Sequence, residues 1–300
     1  MTRIVTGASG HLGRAVVERL LDRDPRPATV VAVTRRPDAL ADLAARGAEV
    51  RHGDFDDPAS LEAAFAGGER LLLVSTDALD RRVQQHATAI NAAVRAGVRH
   101  VAYTSMLEPD ADNPAVIAPS HRATEAALRA GGTAWTILRN SLYAEFQVPE
   151  AEQALATGEL HHNRGDGRVA YVSREDCAAA AAAVLAGAGE PGEILEITGP
   201  QALDADDLAA LYGDLGGRPV TSVAVADDDL EKALADAFGG DGHARYGARL
   251  VVSMGQAVRA HRFEATSDAV ERLTGRPPRP LADVLDAGLS SRPASPPARP

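Results

Sequence analysis

The sequence offers little that would place it outside the cytoplasm or on nucleic acid. A single cysteine, Cys177, among 300 residues excludes an intrachain disulfide. It lies in an alanine-rich stretch with no base beside it in sequence, so it reads as a small core residue, not a catalytic thiol. No apolar run approaches the length that a membrane-spanning helix needs. The first residues show neither the basic n-region nor the apolar h-region of a secretory leader. Basic residues number 31 against 42 acidic ones, for a net charge of −11 and a pI near 5.3. A surface of that sign repels phosphate backbones. His86, His100, His161, His162, His243 and His261 show no metal-ligand spacing. Asp227-Asp228-Asp229 precede a helical run and are expected to cap it and form its solvated face. These absences lead to the expectation of a soluble, cytoplasmic protein with no nucleic-acid or membrane partner and no metal. The 45% hydrophobic content supports a sizeable core, enough for one large domain or a domain with a smaller lobe.

What is present begins at the third residue. Arg3-Ile4-Val5 reads as a strand, Gly7-Ala8-Ser9-Gly10-His11-Leu12-Gly13 as a turn, and Arg14 to Leu21 as a helix. Glycine permits a positive φ and lets the backbone approach a ligand without a Cβ in the way. The N–H groups at the helix start then face an anion, aided by the helix dipole. The order strand, glycine turn, helix therefore points to a bound diphosphate. The spacing is G-x-x-G-x-x-G, not the more common G-x-G-x-x-G. A second strand, Ala28 to Val33, ends at Thr34, where NAD-binding proteins place an acidic residue for the ribose 2′-OH. Here that position is neutral and Arg35-Arg36 follow. A guanidinium fork suits a 2′-phosphate and a carboxylate would repel one, so the pattern favours NADP(H) over NAD(H). Arg35, directly after the strand, is the candidate; Arg36 reads equally well as a solvated loop residue. After a third strand, Glu49 to His52, Asp54 can accept from an adenine amino group with Phe55 against the ring, while Asp56 or Asp57 caps the helix that starts at Pro58.

Strands continue to alternate with helical patterns. Arg70 to Val74 reads as a buried parallel strand ended by Ser75-Thr76-Asp77. A helix follows from about Arg81 to Ala96, with Val83, Ala87, Ile90, Ala93 and Val94 as its apolar positions, and Gly97 stops it. His100 to Ser105 is the fifth strand, Ser120 caps a helix to Ala130, and Trp135 to Arg139 is the sixth strand. This alternation predicts an α/β fold, a Rossmann-like doubly wound parallel sheet, with a smaller C-terminal substrate lobe. The expected division is 1–150 for the cofactor domain, 151–289 mainly for the lobe, with a strand at 193–198 returning to the sheet, and 290–300 as a disordered tail rich in Ser, Pro and Arg.

The TGASGHLG opening, the neutral-then-Arg end of strand two, Gly53-Asp54-Phe55, and Leu138-Arg139-Asn140-Ser141-Leu142-Tyr143 resemble the NmrA-like atypical short-chain dehydrogenases. The stretches 71–76, 100–107, His121-x-x-Thr124-Glu125, 138–145 and 165–182 are similar to the bacterial type 2 NAD(P)H:quinone oxidoreductase group. The resemblance covers roughly residues 1 to 290. It implies NADPH at the strand ends, a substrate lobe and reduction of quinones. Carried over residue by residue, Gly7 to Gly13 would hold the pyrophosphate and Arg35 the 2′-phosphate. Ser75 and Thr76 would line the route to the nicotinamide ribose. Asn140 and Tyr143 would stand near the nicotinamide and the acceptor.

One departure from ordinary short-chain dehydrogenases carries chemistry. Their Tyr-x-x-x-Lys acid is absent: aligned on Glu125, His121 takes the lysine position and Ile117 the tyrosine position. A ketone reduced by hydride leaves a strongly basic alkoxide, and a placed acid contributes roughly 10²–10⁴-fold there. A quinone leaves a delocalised hydroquinone anion that water can protonate. The missing acid therefore argues for quinones, triarylmethane cations or other electron-poor π-systems. His121 or Tyr143 could donate a hydrogen bond to the developing oxyanion, although each also reads as an ordinary helix or half-buried residue. Ser105 carries less weight, because Met106 competes for the place of the superfamily's catalytic hydroxyl. An NADPH-dependent oxidoreductase is the leading expectation. An NmrA-type redox-sensing regulator that binds NAD(P) without turnover, and a tailoring enzyme or isomerase with a bound cofactor, are the alternatives. A homodimer is compatible with each.

Overall fold

The computed structural model describes residues 1–23, 29–78, 80–239 and 241–290. In chain order the elements are β1 (Arg3–Val5), α1 (His11–Arg23), β2 (Val30–Thr34), α2 (Ala41–Ala45), β3 (Glu49–His52), α3 (Pro58–Phe65), β4 (Arg70–Leu73), α4 (Arg82–Arg95), β5 (His100–Met106), α5 (Ala118–Ala130) and β6 (Ala134–Asn140). There follow α6 (Gln147–Thr157), β7 (Glu159–His162), α7 (Arg174–Ala186), β8 (Glu193–Ile197), α8 (Ala205–Gly216), β9 (Thr221–Ala224), α9 (Asp227–Ala237), α10 (Gly242–Arg259), α11 (Ala269–Thr274) and α12 (Leu281–Ser290). The chain forms two compact units. One comprises 1–141, 174–198 and 267–278; the other comprises 142–173, 199–266 and the chain from 279.

The first unit holds a seven-stranded sheet in the order β3-β2-β1-β4-β5-β6-β8. All its pairs are parallel. Such strands are covered on both faces and read as continuous apolar runs; β2 and β5 are buried along their whole lengths. Ile4, Val31, Leu61, Phe65, Leu71, Val101, Tyr103 and Ile137 share one core. The strand order reverses between β1 and β4; Val5 of β1 lies between Ala32 of β2 and Leu72 of β4. Ligands of open α/β sheets lie beyond the strand C-termini at such a reversal. The late strand expected at 193–198 does return to this sheet as β8, beside β6. Alanine-rich α7 is buried from Asp176 to Leu185 and packs on α1. Cys177 is in that buried run, as its neighbours in sequence suggest.

Two expectations about helices are corrected, and a third, left between two residues, is resolved. The buried stripe of α4 is Arg82, Gln85, His86, Ala89, Ile90, Ala92 and Ala93, whereas Val83 and Val94 are exposed. The apolar pattern therefore misplaced the inward face, because polar side chains occupy part of it. Ser120 does not cap α5: the helix begins at Ala118, and the Ser120 hydroxyl donates to Ile117 O at 2.7 Å from within the first turn. Asp57, not Asp56, caps α3, accepting from the N–H groups of Ala59 and Ser60, while Asp56 pairs with Arg81 at 2.7 Å.

The second unit contains a two-stranded parallel ladder of β7 and β9, with α6, α8, α9, α10 and α12. Asp204 starts α8 through a capping box with Asp207, as its type predicts. Asp227 departs from its expected role. It accepts from Asn163 Nδ2 (2.8 Å), Gln256 Nε2 (2.9 Å) and Arg259 Nη2 (2.9 Å), and so fastens the start of α9 to β7 and α10. Gly255 leaves room for this knot, since a Cβ there would lie 1.7 Å from Asn163 Oδ1. Ser290, expected to open the tail, instead closes α12; residues 291–300, and Ala28 of the expected second strand, lie outside the described residues.

Candidate cofactor and active site

β1 delivers the chain into the glycine turn at the sheet reversal. Gly7 has φ +60°, a left-handed value that disfavours side chains. A Cβ on Gly13 would sit 2.3 Å from Gly7 O, so only glycine lets α1 pack so closely on the turn. The turn is braced from within: Gly10 N–H donates to Gly7 O (2.9 Å), Ala8 N–H to Val33 O (3.1 Å), and Arg14 N–H to Gly10 O (2.9 Å). Thr34 Oγ1 donates to Ser9 Oγ at 3.1 Å and ties the turn to the end of β2. His11, Leu12 and Gly13 begin α1, where N–H groups have no partner one turn back. The first turn carries no acidic residue, so nothing opposes an anion at the positive end of the helix dipole. A diphosphate fits this cradle.

The other strand ends flank it. After β2, Arg35 and Arg36 are exposed, and Arg36 N–H donates to Thr34 Oγ1 at 3.1 Å. After β3, Asp54 is half-buried; its N–H donates to Ser60 Oγ (2.9 Å) and its Oδ1 accepts from Asp56 N–H (3.0 Å). The turn therefore engages one carboxylate oxygen of Asp54. Phe55 packs on the core and faces the His86 ring at 6.4 Å. After β4, Ser75 N–H donates to Thr104 Oγ1 (2.9 Å) and Thr76 N–H to His86 Nε2 (3.1 Å). Val74 N–H donates to Thr6 Oγ1 (2.9 Å).

Behind Ser75 and Thr76 lies a buried polar cluster of Arg82, His86, Tyr103, His121 and Thr124. Because Thr76 donates to His86 Nε2, the His86 proton sits on Nδ1 and is given to Thr124 Oγ1 (2.9 Å). Thr124 in turn donates to Ser120 O (2.9 Å). Arg82 Nη1, a pure donor, lies 3.5 Å from His121 Nε2, which leaves the His121 proton on Nδ1, 2.8 Å from Tyr103 Oη. Both rings stay neutral. Burial, and then the Arg82 cation, hold His86 down at about 3, and the same causes put His121 well below its ordinary value. Burial likewise pushes the Tyr103 hydroxyl up. The expected donor role of His121 meets a ring that is 5% exposed, with both nitrogens directed at protein groups.

Ser105 is held elsewhere. Its hydroxyl donates to Glu125 Oε1 at 2.8 Å. Arg139, opposite Ser105 in the β5–β6 register, forks onto the same buried carboxylate at 3.0 and 2.8 Å, and Arg129 joins at 2.8 Å. Ile117, at the missing tyrosine's place, precedes α5 and offers no proton. Asn140 closes β6, buried, level with Met106 and Ile197. Tyr143 belongs to the second unit; it bridges to Val172 and its ring is 5.8 Å from that of Phe146.

The first unit thus gathers Gly7 to Gly13, Arg35, Asp54, Phe55, Ser75, Thr76 and Asn140 on the C-terminal edge of one sheet. Sequence reasoning missed Arg82, His86, Tyr103 and Thr104. No signal in the sequence marks them, because hydrophobic periodicity assigns the polar positions Arg82, Gln85 and His86 outward. Among the described residues no cluster of His, Cys, Asp or Glu could hold a metal, and no helix is long and apolar enough to cross a membrane.

This is the architecture of a pyridine-nucleotide-binding α/β protein, and the comparisons agree. The chain belongs to the NAD(P)H-binding family, whose model matches residues 7–187. It is 40% identical over 230 residues to quinone oxidoreductase 2 of Escherichia coli, covering 77% of this chain and 80% of that one. The structure of the NADPH-dependent quinone oxidoreductase QOR2 from Escherichia coli, complexed with NADPH, superposes with a TM-score of 0.89 at 35% identity, over 96% of this chain and 99% of that one. Triphenylmethane reductase of Citrobacter sp., complexed with NADP(H), superposes with a TM-score of 0.87 at 32% identity, over 96% and 100% of the two chains.

Proposed function

We propose that the protein is an NADPH-dependent oxidoreductase that reduces a quinone or a similar electron-poor acceptor. The observation that carries this reading is the glycine turn at the sheet reversal, too close to α1 for any side chain at Gly13. When bound there, NADPH supplies a hydride. Gly7 to Gly13 would hold its pyrophosphate against the start of α1. Arg35 would pair with the 2′-phosphate as a bidentate fork, which a neutral Thr34 permits. Asp54 has one carboxylate oxygen for the adenine amino group, with Phe55 beside it. Ser75 and Thr76 would line the route to the nicotinamide ribose, and Asn140 would stand at its far edge. Tyr143 is the chain's candidate donor to the acceptor oxygen. His121 would act through Tyr103 and Arg82 as a positioning residue.

The acceptor class follows from what the chain cannot donate. Ile117 has no proton and Ser105 gives its own to Glu125, so no strong acid from the usual positions meets the product oxygen. A delocalised hydroquinone anion tolerates that, and water completes the protonation. The named activities of the relatives, a quinone reductase and a triphenylmethane reductase, support this class. Dependence on NADPH supports a cytoplasmic location, and light scattering tests the homodimer expected with it. The decisive assay follows absorbance at 340 nm with NADPH and a benzoquinone. Turnover is expected. Measurable NADPH binding with no turnover across several quinones and cationic dyes would overturn the reading in favour of a redox-sensing regulator.

A further inference from the structure

We propose that Arg82 and His86 are positioning residues for this reaction: from one face of α4 they hold the N–H and the carbonyl of Thr76 and fix the segment that follows β4. The proposal rests on the cofactor reading above and extends it to the residues that shape the crevice. Three consecutive N–H groups beyond β4, those of Val74, Ser75 and Thr76, go to the side chains of Thr6, Thr104 and His86 instead of to a neighbouring strand. The Thr76 carbonyl then accepts from Arg82 Nε at 2.8 Å. The segment has left the sheet: its three N–H groups are met by side chains from three different elements, and the Thr76 carbonyl by a second side chain of α4.

The support behind the clamp is as specific as the clamp. Arg82 and His86 are 6% and 0% exposed, one turn apart on α4. Burying a guanidinium carries a large desolvation penalty, and the two buried imidazoles need partners for their polar atoms. A surface turn that needed only to reverse direction could satisfy its backbone with water. Along the chain from Thr76 each proton has one acceptor: Thr76 N–H to His86, His86 Nδ1–H to Thr124, Thr124 Oγ1–H to Ser120 O. Arg82 also reaches Ser120 Oγ at 3.2 Å, which joins α4 to the start of α5. A relay in which each donor has a single acceptor has one arrangement and holds its target rigidly. The target lies at the strand-order reversal, beside the glycine turn, because β1 and β4 are neighbours. Rigidity there matters, since displacing a reacting group by about 1 Å costs on the order of a hundredfold in rate.

The test compares the full-length protein with His86→Leu, His86→Gln and Arg82→Lys. Glutamine keeps an acceptor where Nε2 stands; leucine has none. NADPH affinity is measured by calorimetry, kcat and KM with a benzoquinone, and amide exchange over residues 74–78. For His86→Leu we expect kcat to fall by about tenfold or more, NADPH affinity to hold, and the Thr76 amide to exchange faster. His86→Gln should restore all three. Wild-type kcat in His86→Leu alongside faster exchange at Thr76 would overturn the proposal. If His86→Leu does not fold, Arg82→Lys carries the test, because one nitrogen replaces the two that hold Thr76 O and Ser120 Oγ separately; an unchanged kcat overturns the proposal there too. Wild-type protein that binds NADPH yet reduces no acceptor overturns the functional reading instead. In that case NADPH-induced protection of 74–78 that is present in the wild type and lost in His86→Leu would still support the clamp, and its absence from both would overturn it.

Discussion

Arg35 and His86 mark two ways in which a single side chain can matter. Arg35 is exposed after β2 and gains its role only from what it meets. Replacing it with alanine should remove charge-assisted hydrogen bonds of about 1.5–3 kcal/mol from the NADPH complex. That corresponds to roughly a ten- to hundredfold loss of affinity. NADH lacks the 2′-phosphate and should lose little. Titrations of both coenzymes against wild type and Arg35→Ala decide the point; equal losses would refute the phosphate role. Arg35 was legible in the sequence because the end of the second strand locates it. His86 was not legible, since a histidine in an apolar helix pattern looks the same whether it faces solvent or accepts from a loop. Its importance depends on Thr76, ten residues earlier, being turned toward it by the fold.

At the scale of elements, the strands were readable and the faces of the helices were less so. Parallel strands buried on both sides favour apolar runs; β2 and β4 show them nearly unbroken, and β5 and β6 around Val101-Ala102-Tyr103 and Ile137-Leu138. The stripe of α4 was misjudged because Arg82, Gln85 and His86 face inward, and hydrophobic periodicity assigns such positions outward. The β5–α5–β6 layer has the same character. Glu125 of α5 is buried and receives Ser105, Arg129 and Arg139. Its carboxylate raises the Arg139 pKa, chiefly through their hydrogen bonds. Glu125→Gln removes the carboxylate that the largely buried Arg139 guanidinium forks onto. Breaking a buried pair in this way costs about 3–5 kcal/mol. The midpoint of urea denaturation should fall accordingly, and a loss under about 1 kcal/mol, the range of exposed pairs, would show that solvent screens the cluster.

The molecule as a whole carries a pH signature set by its buried histidines. His86 is held at about 3 and His100 at about 4, both chiefly by burial, with Arg82 and Arg70 adding to the effect; His121 lies well below its ordinary value. In the unfolded chain each titrates near 6.5. Below that pH the unfolded chain takes up protons that the native protein refuses. The native stability they permit is complete above about 6.5 and is lost as the pH falls through 5 toward 4, by about 1.4 kcal/mol per pH unit for each histidine. Carboxylates held low in the native state, such as Asp227 and Glu193, add to the loss only near and below their ordinary values of 3.8 and 4.5. Urea unfolding at pH 7, 6 and 5 therefore isolates the histidine contribution. A flat profile over that range would mean that these rings titrate normally in the native protein.

The sequence by itself determined the alternation of strands and helices, the glycine turn and the neutral-then-arginine end of the second strand, because each depends on neighbours within a few residues. It also determined the absence of the tyrosine acid, which is a matter of residue identity alone. Only the tertiary structure decided which way the polar residues of α4 and α5 point and where the chain divides between its two units. Those outcomes depend on groups brought together from positions far apart in the chain: Thr6 with Val74, Thr104 with Ser75, His86 with Thr124. Whether a polar side chain is solvated or buried depends on the donors and acceptors around it, and only the folded chain supplies those.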